Sequence, residues 1–368
     1  MTSYFEYYQN VINETDEIKG TCYSMCPRDE CKLRETEKLV HVLEVQGDER
    51  KLVKSYCRSA ADFQMAVPHL LRPYSVLLDT VQYLLLEVTK RVDVPQCIVY
   101  DFVNDRLRAV RQDMTIQRLP PDLSVQLLEP MVRFYVYYGY LLSNLSLKDY
   151  DPTLNKKYLL ECTKWCLSCY DSIIEKPDKD VVERLTSFLN KMELYPKLCC
   201  DRVLVECIYV LCNLDDVHPY YRLLRLPEDI KRDLRLQLAH SILKWHHQGN
   251  FVRVCRLVDK LCILTYCAAF SSLPNIQRRS LQVLSAGYNN KRLTVPSATI
   301  SRWLKFSDLT EAEFVCAHYG LKTENSGILF DKTAFNIGAR LHQLKAEDIK
   351  NKFHIKNITD IYKYTKSV

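Results

Sequence analysis

Residues 100–117 read YDFVNDRLRAVRQDMTIQ. With Val99 in front, the apolar residues Phe102, Val103, Leu107, Val110 and Met114 recur every three or four positions, the period of one helix face. A second line, Asp101, Asp105, Arg108 and Gln112, runs at i, i+3 or i, i+4 spacing, where opposite charges can pair on a helix. Arg106, Arg111 and Asp113 flank it. The stretch is therefore expected to be an amphipathic, salt-bridged helix whose charges fix the packing of its neighbours. Acid–base catalysis by paired carboxylates is disfavoured, because each Asp has an Arg within a turn.

The same periodicity extends in both directions. Upstream, residues 76–88 carry a buried face at Val76, Leu77, Val81, Leu84, Leu85 and Val88, after a break at Pro68–Pro73. Further upstream, GTCYSMCPRDECKLRE (20–35) places Pro27 where a first helical turn begins, with Asp29 and Glu30 suited to a positive helix N-terminus. Residues 1–19, polar and tyrosine-rich, are expected to form a flexible lead-in. Downstream, the Pro120-Pro121 break precedes a helix from Leu127 to Leu147. Its run Phe134, Tyr135, Tyr137, Tyr138 and Tyr140 implies contacts on several sides. Helices are then expected over 154–175, 179–195, 198–213, 227–247 and 249–270. Helices of this length in series, without a strict repeat, predict a degenerate solenoid. Only 8 glycines in 368 residues leave few left-handed turns and few phosphate-cradling loops.

The character changes after about Leu273. A short helix over 277–287 is followed by VPSATISRWLKF with Ser297 as cap. LTEAEFVCAHYGL comes next, capped at Thr310 and ended by Gly320. GILFDKTAFNI then alternates like a strand–turn–strand about Asp331-Lys332. Helices followed by a small hairpin predict a winged-helix module over 274–345, with a C-terminal helix or tail over 346–368. The whole is mostly α: a helical-repeat domain over 20–273 ending in a module with a small β wing.

The formal charge is +6, and the segment from Asn275 to Val368 alone carries +7, leaving −1 for the rest. A basic quarter on a neutral body points to a polyanion or to a solvated basic surface. Candidate phosphate contacts are Lys291, Arg292, Arg302, Lys305, Lys322 and Lys332. Trp303 and Phe306 lie among them, either to stack on bases or, as their helical spacing favours, to fill the small core.

No P-loop, GxGxxG, GxSxG or HExxH occurs, so no catalytic, cofactor or metal site is expected. Cys166-x-x-Cys169 lies in a helical pattern with no second pair, and Cys22, Cys26 and Cys31 lack a fourth ligand. The 16 cysteines are read as reduced, mostly small buried hydrophobes. The longest apolar runs are about half of the ~20 residues a membrane span needs.

Four blocks in register resemble the GANP / suppressor-of-actin-three family. They are GTCYSMCPRDECKLRE, KSYCRSAAD (54–62), LRPYSVLLDTVQYLL (71–85) and the opening stretch. The signature positions in this sequence are Met25, Cys26, Pro27, Arg34, Arg58, Arg72, Pro73, Asp101, Asp105, Arg106, Arg108, Arg111 and Asp113. QGNFVRVCRLV (248–258) is similar to the turn of the PCI fold, a TPR-like helical array ending in a winged helix. The resemblance implies a non-enzymatic, nuclear mRNA-export scaffold of the TREX-two kind, at or near the nuclear pore. Its implied partners are a second PCI-domain subunit, a small acidic DSS-one/Sem-one-like protein, RNA or DNA, and a DEAD-box RNA helicase. The alternative is a protein-interaction adaptor at centrosome or spindle without nucleic-acid contact.

Overall fold

A computed structural model describes residues 18–57, 67–175, 200–324, 326–344, 346, 352–353 and 358–363. The chain is mostly helical with a few short strands. It divides into two compact units, 1–127 with 172–191 and 128–171 with 192–368. The expected helix at 179–195 and the signature residue Arg58 lie outside the described residues.

In the first unit, α1 (Arg28–Thr36) begins after Pro27 as the sequence leads one to expect, with Asp29 and Glu30 in its first turn. A hairpin of β1 (Val45–Gln46) and β2 (Glu49–Arg50), which periodicity did not reveal, follows. The helices α2 (Tyr74–Leu86) and α3 (Gln96–Ile116) pack on each other. All six apolar residues of the α3 stripe are buried. Gly20 is required by contact: a Cβ there would sit 2.4 Å from the Leu71 carbonyl oxygen.

The helix α4 (Pro121–Leu141) starts and ends about six residues before the expected bounds, because Pro121 can occupy a helix start and 142–149 turns. Its five aromatics are all buried; Phe134 meets Tyr138 at 4.6 Å, and Tyr140 meets Phe270 at 4.6 Å. The second unit continues through α5 (Pro152–Glu175), α6 (Arg202–Cys212), α7 (His218–Arg225), α8 (Glu228–Lys231), α9 (Leu234–His247), α10 (Phe251–Val258) and α11 (Ile263–Phe270). Two expected long helices are thus each split, and α7 was not foreseen. Asp233 accepts from Arg235 N–H and restarts the chain as α9; Asn250 does the same for α10, after Gly249 at φ +71°. α9 packs against α6 and α10, and α11 against α6. Glu129 on α4 accepts from Arg133, from Tyr170 Oη at 2.7 Å and from Asp201 N–H at 2.7 Å, tying α4, α5 and the start of α6. Arg133 also donates to the Ile361 carbonyl at 3.3 Å.

The C-terminal module begins with α12 (Leu273–Gly287), four residues longer at its N-terminal end than the expected helix. β3 (Thr294–Pro296), α13 (Ser297–Leu304), α14 (Leu309–His318), β4 (Lys322–Glu324) and β5 (Gly327–Leu329) follow. The sheet is antiparallel in the order β3-β5-β4. Leu281, Ile300, Leu304, Val315, Ile328 and Phe330 are among the residues of its core. Helices followed by a small hairpin match the expectation, the strand β3 was not foreseen, and three local expectations change. The hairpin turns at Ser326, not at Asp331-Lys332; Asp331 instead accepts from Thr333 in a local turn. Asp308, not Thr310, caps α14. Ser297 is the first helical residue of α13, and its hydroxyl donates to Glu313. Gly320 ends α14 at φ +87°, as expected. Of the expected final helix, α15 (Asp360–Lys363) falls among the described residues.

Candidate functional site

The signature residues of the first unit meet around two buried carboxylates. Asp113, in the last turn of α3, accepts from Lys54 Nζ at 2.6 Å and from Arg72 Nε at 2.7 Å, and none of the three side chains is more than 2% exposed. Lys54 Nζ also donates to the Leu70 carbonyl at 2.7 Å, and Arg72 Nη1 to the Met25 carbonyl at 3.3 Å. Two cations thus share one carboxylate, and backbone oxygens take up the surplus positive charge. The second carboxylate, Glu44, receives Arg34 in a short hydrogen bond and Arg106 at 3.5 Å. Burial alone would push the Glu44 carboxyl up. The Val53 N–H, Arg34, the His41 N–H and the charge of Arg106 outweigh it and hold the carboxyl below its ordinary value. Glu44 was not singled out by the sequence, since its two cations lie 10 and 62 residues away.

The polar line on α3 also reaches beyond its own helix. Asp105 accepts from the Tyr56 N–H at 3.1 Å, and the Arg108 guanidinium stacks on the Tyr56 ring at 3.8 Å. Gln112 donates to the Cys57 carbonyl at 3.4 Å. The line is a rail for the extended segment 51–57. Glu30 on α1 grips the same segment, accepting from the Ser55 N–H and hydroxyl at 2.8 Å. The Met25 carbonyl also accepts from Lys54 N–H at 2.9 Å, Cys26 is buried, and Pro27 and Pro73 lead into α1 and α2. Asp101 lies exposed on α3, and Arg111 is half-buried beside the rail.

The six basic candidates of the module divide into two groups. Thr294 and Lys322 both face Leu329 across the sheet, so β3 and β4 begin at the end where β5 leaves. Lys291 and Arg292 precede β3, Lys322 opens β4, and Lys332 follows β5. The Lys332 N–H donates to Asn289 Oδ1 at 3.3 Å, which holds the two turns together. These four exposed cations therefore gather at one end of the sheet. Arg302 and Lys305 lie instead at the C-terminal end of α13. Lys305, in the left-handed conformation, is half-buried and ion-paired with Asp259, which removes it as a free phosphate contact. Phe306 is 6% exposed and Trp303 packs against the same core, so Phe306 is not available for base stacking. The helix α14 carries Glu311 and Glu313, no Lys or Arg, and the exposed apolar residues Leu309 and Phe314.

Most of the described cysteines are buried, and burial pushes the Cys169 thiol up to about 11 and the Cys316 thiol up to about 12. No helix among the described residues is long and apolar enough to cross a membrane.

Comparison with known sequences agrees with the signature. The profile of the SAC3/GANP family matches residues 25–325, and the chain belongs to that family. It is similar to Protein xmas of Drosophila melanogaster, 25% identical over 89% of this chain and 15% of the relative. SAC3 family protein 1 of Schizosaccharomyces pombe is 23% identical over 88% of this chain and 32% of its own length. SAC3 family protein B of Arabidopsis thaliana is 24% identical over 78% and 17%. The chain thus spans about a third or less of these relatives.

Proposed function

We propose that this chain is a non-enzymatic scaffold subunit of a nuclear mRNA-export assembly of the TREX-two kind. It pairs with a second PCI-domain subunit and a small acidic DSS-one/Sem-one-like protein, with a DEAD-box RNA helicase as a further partner. Residues 274–345 act as a winged-helix module on a helical-repeat domain over 20–273. The observation that carries the nucleic-acid part is the convergence of Lys291, Arg292, Lys322 and Lys332 at one sheet end. Because α14 has no basic side chain, contact there is with the phosphate backbone rather than with base edges.

The test is RNA affinity measured by fluorescence anisotropy over a salt series, with the chain alone and with its PCI partner. Reversing the four clustered cations to Glu weakens binding and flattens the salt slope by roughly 3, at ~0.7 per single-strand phosphate contact. Lys305→Ala leaves the slope unchanged, because Asp259 already holds that ammonium. Undiminished binding by the fourfold variant overturns the assignment. A second reading, an interaction adaptor at centrosome or spindle without nucleic-acid contact, is favoured by the acidic, apolar surface of α14 with Phe314 62% exposed.

A further inference from the structure

The second unit holds a groove of about 690 Å³ whose lining includes none of Lys291, Arg292, Lys322 and Lys332. It runs between the C-terminal part of α4, the 143–150 turn, the start of α5, α11 and the segment 340–343. Leu159, Cys212, Phe270 and Pro274 form part of its apolar lining, and all but Leu159 come from elements distant in sequence from α4 and α5. Leu145 and Leu147 on its edge are 42% and 69% exposed. They extend the apolar lining outward into one continuous surface, the kind that marks an interaction site or a ligand groove.

The charge around the groove is one-sided. Lys148, Lys156 and Arg340 line it, and no Asp or Glu does so among the described residues. Lys156 lies close enough to the groove floor that its charge partly offsets the upward push of burial on the Cys212 thiol. The acids nearest in sequence are turned to local work. Asp149 accepts from the Ser146 hydroxyl, and Asp151 caps α5 through the Thr153 and Leu154 N–H groups.

We infer that this groove receives a short acidic peptide segment of a partner protein, with leucine or aromatic side chains spaced to enter the cleft and carboxylates to meet the three cations. The apolar lining and buried aromatics give nucleic-acid bases no exposed ring to stack on, which favours a peptide over RNA. The inference deepens the scaffold reading by assigning a surface and a partner chemistry, and it rests on that reading only in treating the chain as a receiver of other subunits.

The test uses the full chain and two matched sets of fluorescein-labelled short peptides. In one set Leu or Trp recur three or four residues apart and the remaining positions are Asp, Glu or Ser; in the other Lys replaces each acid. The acidic set binds and the basic set does not. Leu147→Asp and Lys156→Glu each weaken binding about tenfold, the order expected when a rim contact is reversed rather than removed. Lys157→Glu makes the same charge change one residue away, outside the lining, and leaves affinity unchanged. Failure of the acidic set to bind, an equal loss in Lys157→Glu, or displacement of the peptide by single-stranded RNA overturns the inference. Undiminished RNA binding in the fourfold module variant, with peptide binding behaving as stated, counts against the export reading alone.

Discussion

Replacing Asp113 by Asn keeps the shape of the side chain and removes its charge. Lys54 and Arg72 are then left buried without a carboxylate, at 2% and 0% side-chain exposure. Breaking a buried pair from one side costs about 3–5 kcal/mol, because the remaining charge cannot return to water. Here two cations are stranded, so the upper part of that range applies. For a domain of this size the loss lowers the thermal midpoint by roughly 10 °C or more. Lys54→Met is the informative comparison. It leaves Asp113 with Arg72, a one-to-one pair, and removes the surplus cation. It forfeits the bond to Leu70 O, a net loss of about 1–2 kcal/mol. Differential scanning calorimetry of the two variants beside Asp101→Asn, an exposed α3 control, reads the contrast. If Asp113→Asn is no worse than Asp101→Asn, or Lys54→Met is as damaging as Asp113→Asn, the two-cations-to-one-carboxylate argument is refuted.

Two further outcomes are expected. Because the Glu44 carboxyl is held below its ordinary value in the folded chain, its contribution is present above the unfolded value of ~4.3 and is lost as pH falls through the folded one. Urea midpoints followed downward from pH 5 therefore fall less steeply in Glu44→Gln than in the parent, whose stability at neutral pH is the higher. Gly20→Ala drives a methyl against the Leu71 carbonyl and destabilises by about 1–3 kcal/mol, seen as a lower urea midpoint; an unchanged midpoint would show that the 20–22 segment yields freely.

The parts of this fold that were legible in the sequence are those set by neighbours along the chain. The α3 stripe, the start of α1 after Pro27 and the end of α14 at Gly320 each follow from period, cap or backbone freedom within a turn or two. The misplaced boundaries are also local. The start of α4 is set by Pro121 and the break before α9 by the single capping carboxylate of Asp233, and both override an apolar period that runs on past them. The short β1–β2 hairpin has too few residues for an alternating pattern to show.

The charged residues behave differently. The sequence supplied Asp105, Arg108 and Gln112 at helix-pairing distance, and their pairing along the helix was the natural expectation. In the folded chain Asp105 pairs with its neighbour Arg106, and the segment 51–57 supplies partners as well, the Tyr56 N–H for Asp105 and the Tyr56 ring for Arg108. Asp113 is the plainest case: its partners Lys54 and Arg72 lie 59 and 41 residues away, beyond any periodicity. Lys305 lost its candidacy to Asp259, 46 residues off. The gathering of Lys291, Arg292, Lys322 and Lys332 depends on strand register, which no single strand encodes. By itself, then, the sequence determined the helical class, the start of α1 and the end of α14, the basic C-terminal quarter and, through four blocks in order, the family. Only the tertiary structure decided which charges are buried together and which remain free to meet a partner. Helix and turn preferences act over a few residues, whereas a buried charge takes whichever partner the packed chain brings within about 3 Å of it.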